Sequence, residues 1–290
     1  MPPRMPTARR PSRFRLPADV RPSRYDLHLE PDLDAGTFRG SVRIQVHLER
    51  PRRDIVLHAA DLSIERAVVR AGTEEVAARV RPSRADETVT LRLPRRLPAG
   101  EATLEISWSA KLNQHLRGFY AVVADGRRYA FTQCEAADAR RILPCFDEPS
   151  FKARFRVAVT ARQGEAVVSN APMEREEPVR GGRIVRFAET PPLSTYLLAV
   201  AVGPLEASAE RRLGSTPIRV WHVPRKGHLT AIGLEAAAES LRRLEEYFAI
   251  PYPYGKLDLV AVPDFEAGAM ENAGAVFFRE TLLLLSLIHI

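Results

Sequence analysis

The sequence predicts a mainly β protein: an antiparallel β-sandwich domain that gives way to the start of an α/β domain. Three observations carry that expectation. Up to about residue 205, apolar residues alternate with polar ones in run after run, the period of a strand with one buried and one wet face. Prolines and glycines punctuate those runs, as in "EPDLDAGTFRG", "RLPAGE" and "VRGGR", which favours many short strands in stacked sheets. After "GPLEASAERRLGS" an amphipathic helical run stands between two extended ones, the order that opens an α/β unit.

Taken in order, the first stretch, "MPPRMPTARRPSRFRLP", is basic and rich in Pro and lacks the apolar centre of a secretory signal. Residues 1–18 therefore read as a disordered lead-in. The sandwich is expected over 19–208, where Tyr25, Leu27 and Leu29 alternate with polar neighbours. So do Val42, Ile44, Val46 and Leu48, then Val89, Leu91 and Leu93, then Leu104, Ile106 and Trp108. A boundary is placed within 206–215 and a second domain over 209–290. There "TPIRVWHVP" reads as a strand. "HLTAIGLEAAAESLRRLEEYFAI" reads as a helix with Ala237, Leu241, Leu244 and Phe248 on its buried face. Glu239 is placed to pair with Arg243 one turn on, and Pro251 stops the helix. "KLDLVAVPDF" returns to a strand. The final "TLLLLSLIHI" is apolar, without turn chemistry or a cap. The second domain is expected to be truncated there, and the native origin of residues 285–290 is left open.

Composition narrows the class. An apolar share of 45% over 290 residues fits a chain with a substantial core. The net charge of +7 comes from arginines scattered among acids, with no basic helix, so solvated surface charge is favoured and no nucleic-acid partner is expected. Two cysteines, Cys134 and Cys145, are too few for a disulfide framework; reduced thiols and a cytoplasmic protein are expected, a single bridge being the alternative. No apolar run approaches the roughly 20 residues that span a bilayer.

Two stretches carry chemistry: "YAFTQCEAADARRILPCFDEPSFKARFRV" over 129–157 and "YPYGKLDLVAVPDFEAGAMENAGAVFFRE" over 252–280. With "LSTYLLAVAVG" between them, they resemble the M1 family of zinc aminopeptidases, the gluzincins related to aminopeptidase N. The resemblance covers the chain after its first twenty residues. Gly268-Ala269-Met270-Glu271-Asn272 matches the family's exopeptidase signature, and Thr132-Gln133-Cys134-Glu135-Ala136 its companion. Either pentapeptide alone would be weak evidence; both in order are strong.

The resemblance implies an N-terminal sandwich followed by a thermolysin-like α/β catalytic domain, truncated here before its zinc motif. It implies a full-length enzyme that releases single residues from peptides with a free N-terminal amine. Glu135 and Glu271 are then the carboxylates that receive the amine, with Gln133 beside them as a neutral amide. Gly268 and Ala269 belong to a sheet edge on which an extended substrate lies, small side chains allowing close approach. Met270 is either core filler or the floor of a first-residue pocket, and Asn272 completes the substrate-binding set. Chemistry supports the assignment, because two adjacent carboxylates repel and a bound ammonium relieves that repulsion. A blocked N-terminus would leave them buried without a partner. Glu266 reads as surface. Arg140, Arg141, Asp147 and Glu148 read as an ion network that fixes the loop carrying Glu135.

The family's cofactor is one zinc, held by a His-Glu-x-x-His helix and a further Glu. None of the seven histidines, at 28, 47, 58, 115, 222, 228 and 289, is followed by Glu. Metal ligands and catalytic residues are therefore expected beyond residue 290, and this chain alone is expected to be inactive. Two other readings are a non-catalytic scaffold and a bifunctional epoxide hydrolase of the leukotriene type. The latter relatives carry Gln where this chain has Glu135, and Gly-Gly-Met-Glu-Asn for the signature, which favours the plain peptidase. The preferred N-terminal side chain is left open among Arg, Ala and Leu.

Overall fold

The computed structural model describes residues 15–286. An eight-stranded sheet runs in the order Met173–Val179, Gly182–Phe187, Arg154–Ala161, Val20–Asp32, Thr37–Leu48, Gly100–Lys111, Ser63–Ala71, Glu74–Ala77. A three-stranded sheet, Arg52–His58, Thr88–Leu97 and Arg79–Ser83, shares one core with it. The alternating residues read from the sequence supply that core: Tyr25, Leu27, Val42, Ile44, Leu91, Leu104 and Trp108 are all buried.

The sandwich departs from the expected antiparallel pattern once. Val20–Asp32 pairs parallel with Arg154–Ala161, in the register Tyr25↔Phe155. The two rings stack at 4.7 Å with planes 6° apart, and the Tyr25 hydroxyl accepts a hydrogen bond from the Phe146 N–H at 3.1 Å. The pairing is non-local, so strand alternation alone does not reveal its direction. The lead-in expected over 1–18 lies outside the described residues up to residue 14, and its end is not loose. Leu16 is buried, and its N–H donates to Glu148 Oε1 at 2.7 Å.

A four-stranded sheet, Ala166–Ser169, Val200–Gly203, Arg127–Gln133 and Gly118–Ala124, links the sandwich to the rest. The last sheet is ordered Glu206–Ala207, Thr216–His222, Leu257–Val262, Ala275–Arg279, Ala269–Met270, with Arg211–Leu213 pairing to Thr216–His222. Its three middle strands are parallel, and the helix Ala231–Phe248 makes the crossover between the first two. All six residues of Leu257–Val262 are buried, as a strand covered on both faces requires. Leu257, Leu259 and Ala261 face the helix side. Val260 and Val262 join Tyr120, Tyr129 and Phe131 of the linking sheet.

The helix buries only the first part of the face expected, with Ala237 packed against the core. Gly233, Ala238 and Leu241 are buried, whereas Leu244 and Phe248 are 52% and 61% exposed. Its first three turns pack on the sheet, with Gly233 admitting Leu283 at close range. The later turns lie past that contact. The pair Arg243–Glu239 forms at 2.6 Å, and the helix ends at Ala249 in a left-handed conformation (φ 53°), two residues before Pro251.

Gly40 lies under the indole of Trp108, where a methyl group would overlap the fully buried ring. Gly40→Ala is expected to destabilise the sandwich by about 1–3 kcal/mol through forced overpacking, read as a lower urea midpoint at unchanged slope.

Candidate amine-binding site

The two motifs approach each other from different sheets. Gln133 is the last residue of Arg127–Gln133 and pairs with Gly118 on one side of that strand. Val200–Gly203 flanks the other side, in the register Phe131↔Ala201. Thr132 locks the two together, accepting from the Val200 N–H at 2.9 Å. The chain then turns through Glu135, whose peptide bond to Ala136 is cis, into a short 3-10 helix, Ala139–Arg141.

The second motif forms the edge of the last sheet. Ala269–Met270 pairs antiparallel with Ala275–Arg279, Ala269 opposite Phe278 and Met270 opposite Phe277. Its other edge carries no strand among the described residues. The loop before it is fastened through its backbone: the Arg279 N–H donates to the Gly268 carbonyl at 3.0 Å, and the Arg279 guanidinium reaches the carbonyls of Phe265 and Glu266. The Glu266 side chain is exposed, as expected. After the strand, Asn272 opens a turn closed by the Ala275 N–H on the Asn272 carbonyl at 3.1 Å. Gly274 takes φ 71° there, and a side chain at that position would overlap the Asn170 carbonyl oxygen.

The motifs meet at Gln133 and Met270, whose Nε2 and Sδ lie 3.5 Å apart. Met270 is 1% exposed and packs with Tyr120, Phe131 and Phe277. Around this contact, Glu135 and Glu271 are exposed. Neither makes an ion pair or hydrogen bond among the described residues, in a chain where most acids are paired with arginine. Asn272 is buried with its Nδ2 lacking a protein partner, and the buried Gln133 Oε1 lacks one as well. Gly268 and Ala269 are exposed along the free edge. The arrangement offers a sheet edge that an extended chain can join, with one unpaired carboxylate following each side of the Gln133–Met270 contact in sequence.

The Peptidase M1 N-terminal domain matches residues 21–197, more than half of the chain. It belongs to peptidase family M1. The Peptidase family M1 domain matches 232–288 as well. The chain is 40% identical over 274 residues to Aminopeptidase M1-B of Oryza sativa subsp. japonica, covering 93% of this chain and 31% of that protein. It is 40% identical over 280 residues to Aminopeptidase M1 of Arabidopsis thaliana, covering 93% and 32%. Endoplasmic reticulum aminopeptidase 1 of Rattus norvegicus is 34% identical over 282 residues, covering 93% and 30%. The chain thus spans about a third of the length of the curated relatives it matches. As for the family's metal, no group of three or more His, Cys, Asp or Glu side chains among the described residues could hold an ion. No helix among them is long and apolar enough to cross a membrane.

The loop after Gln133 is held by the network that the M1 motif resemblance left structural. Arg140 pairs with Asp147 at 3.0 Å and Glu87 at 3.2 Å. Arg141 pairs with Glu87 at 2.5 Å, Asp138 at 2.7 Å, and Asp61. Asp147 also accepts from the Thr195 hydroxyl at 2.7 Å, its second oxygen being thereby satisfied. Buried ions persist when paired and hydrogen-bonded on all sides in this way. Both cysteines are unpaired and buried beside the network, and burial pushes their thiols well above the ordinary range.

Sequence reasoning missed the residues that hold the 272–275 turn from below. Lys256 Nζ donates to Asp258 Oδ2 at 2.6 Å and to the Gly274 carbonyl at 2.8 Å. The Tyr252 hydroxyl accepts from the Gly274 N–H at 3.2 Å. Asn170 reaches the turn from the sandwich side. A signal existed for Lys256, Asp258 and Asn170, though not for Tyr252: "KLD" puts an acid into an otherwise apolar strand, and "VVSNAP" ends one on two polar residues.

His58 ties the network to the sandwich, its Nδ1 accepting from the Asp147 N–H at 3.2 Å. Burial, and then the Arg140 charge, pull its pKa down to about 4 from an ordinary 6.5; Asp147, Glu148 and Glu87 act the other way. The unfolded chain therefore takes up a proton that the folded one refuses. This contribution to stability is fully present above about 6.5 and is lost as pH falls toward 4. Urea midpoints measured across that window should fall less steeply for His58→Gln than for the parent.

Proposed function

We propose that this chain supplies the free-amine recognition site of a zinc-dependent aminopeptidase that releases single N-terminal residues from peptides. The observation that carries the reading is the Gln133–Met270 contact, which joins the two motifs, Glu135 following two residues after Gln133 and Glu271 directly after Met270, both unpaired among the described residues. A scaffold has no use for two unpaired carboxylates at the joint of two sheets. They suit an ammonium, whose charge relieves their mutual repulsion.

The free edge of Ala269–Met270 receives the extended peptide, and the amine ends at Glu271. Backbone pairing fixes the peptide laterally, while the charged pair fixes how far it advances, so together they set the register of the bond to be cut. An acylated N-terminus brings no charge to pair with the two acids, so the free amine is favoured over it. Zinc enters through the family alone. No donor set among the described residues fits it; the family resemblance is what puts its ligands in the remainder of the full-length enzyme. The two unpaired, buried cysteines suit a reducing compartment and support a cytoplasmic enzyme.

Glu271→Gln in the full-length enzyme tests this. The edge strand keeps its shape while the ammonium loses a charge-assisted partner, a contribution of about 1.5–3 kcal/mol. A fall in kcat/KM of roughly ten- to two-hundred-fold is expected, shared between kcat and KM because the amine also sets the register. Glu135→Gln should act in the same direction, and the double variant should lose less than the sum, since both acids serve one cation. Bound zinc should be unchanged in all three. Kinetics near wild type for Glu271→Gln with zinc retained would place the amine elsewhere.

A further inference from the structure

One side chain connects the two halves of the proposed site. Asn170 follows the strand Ala166–Ser169 and is 2% exposed. Its Nδ2 donates to the Leu197 carbonyl at 2.8 Å and to the Ala273 carbonyl at 2.9 Å. Its Oδ1 accepts from the Ala199 N–H at 2.8 Å. Three of the amide's four hydrogen-bonding positions are therefore used, all on backbone. Two carbonyls and one N–H also fix its orientation, because a flipped amide would set oxygen against oxygen twice.

Each partner lies one short step from a site residue. On one side, Ala199 precedes Val200, whose N–H is held by Thr132, the neighbour of Gln133. Ser169 grips the same residue from its other end, donating to the Ala199 carbonyl at 2.8 Å. On the other side, Ala273 stands two residues after Glu271. Gly274 next to it lies so close to the Asn170 carbonyl that no side chain fits. The Asn170 amide thus spans from the strand that flanks Gln133 to the turn that follows Glu271, across the junction between two sheets.

We propose that Asn170 is a positioning residue for the substrate amine. It holds the Glu271 segment at a fixed height against the Gln133–Glu135 segment, so that one ammonium meets both carboxylates. The inference rests on the amine-site reading above and adds a residue from outside both motifs. It also accounts for asparagine at this position. Aspartate has the same shape but would point a carboxylate oxygen at two carbonyls, and alanine would leave two buried carbonyls and an N–H unpaired.

The test uses the full-length enzyme and a matched pair of competitive inhibitors, an amino acid hydroxamate and its counterpart lacking the α-amine. The ratio of their inhibition constants reads amine recognition alone, since loss of folded enzyme or of a distant contact moves both together. Asn170→Ala and Asn170→Asp are expected to cut the preference for the amine at least about ten-fold, with the counterpart's constant changed less than about two-fold. Asn170→Ser, which keeps a small donor, should retain an intermediate preference, and it carries the same readout if the other two do not accumulate as folded protein. Glu271→Gln is the reference. If it abolishes the preference while the Asn170 variants keep it, Asn170 is only a structural residue and the proposal is overturned with the amine site intact. If Glu271→Gln itself keeps the preference, the amine site is misplaced and the positioning role falls with it.

Discussion

The architecture depends on burying both faces of one strand, Leu257–Val262. One face needs the helix Ala231–Phe248, and the other needs the linking sheet of the sandwich, whose Tyr120, Tyr129 and Phe131 pack on Val260 and Val262. Neither layer alone would cover it, and a parallel strand left open on one side would expose a continuous apolar surface. The edge strand Ala269–Met270 joins the same core through Met270 and Phe277. The position of the signature motif relative to Gln133 is therefore set by hydrophobic packing between two sheets. Polar contacts then refine that position: the Tyr120 hydroxyl on the Asp264 carbonyl at 3.3 Å is one more crossing of the same junction.

The sandwich was legible because period-two alternation depends only on local sequence and burial. Tyr25, Leu27, Val42, Ile44, Leu91 and Trp108 alternate with polar neighbours and are buried for that reason. The parallel pairing of Val20–Asp32 with Arg154–Ala161 was not, since direction is decided by partners more than a hundred residues away. The helix shows a different failure. Leu244 and Phe248 continue its apolar stripe and looked buried, but burial requires a surface opposite, and the sheet stops short of them. Sequence periodicity tells which side of a helix is greasy, and only the tertiary arrangement tells how much of that side is covered.

The same division runs through the candidate site. The two pentapeptides could be found as motifs, and the structure brings them into contact at Gln133 and Met270. What the motifs could not show is how they are held. Asn170, Tyr252, Lys256 and Asp258 act on backbone carbonyls and N–H groups of the turn, and backbone partners leave no trace in the pattern of side chains. A polar residue inside an apolar strand is the one sequence-level sign, since burial without a partner is costly. Reading Asp258 and Asn170 in that light would have flagged both.

The chemistry of these supports bears on the proposed use of the site. Elsewhere this chain fastens its loops with charge, as around Arg140 and Arg141. Beneath the Glu271 turn it uses an amide, a tyrosine hydroxyl and one buried lysine. That lysine is matched at 2.6 Å by Asp258, so the pair presents no net charge to its surroundings. An unmatched cation there would act as an internal substitute for the ammonium. At a separation of a few ångströms such a cation would pair with Glu271 and compete with the substrate's ammonium. Neutral groups and a matched ion pair fix the geometry without occupying the electrostatic role. For the proposed function this is the requirement that joins fold to site: the two carboxylates must be held firmly while remaining unpaired, and the charges in their supports are matched by acids, as at Arg140, Arg141 and Lys256, or spent on backbone carbonyls, as at Arg279.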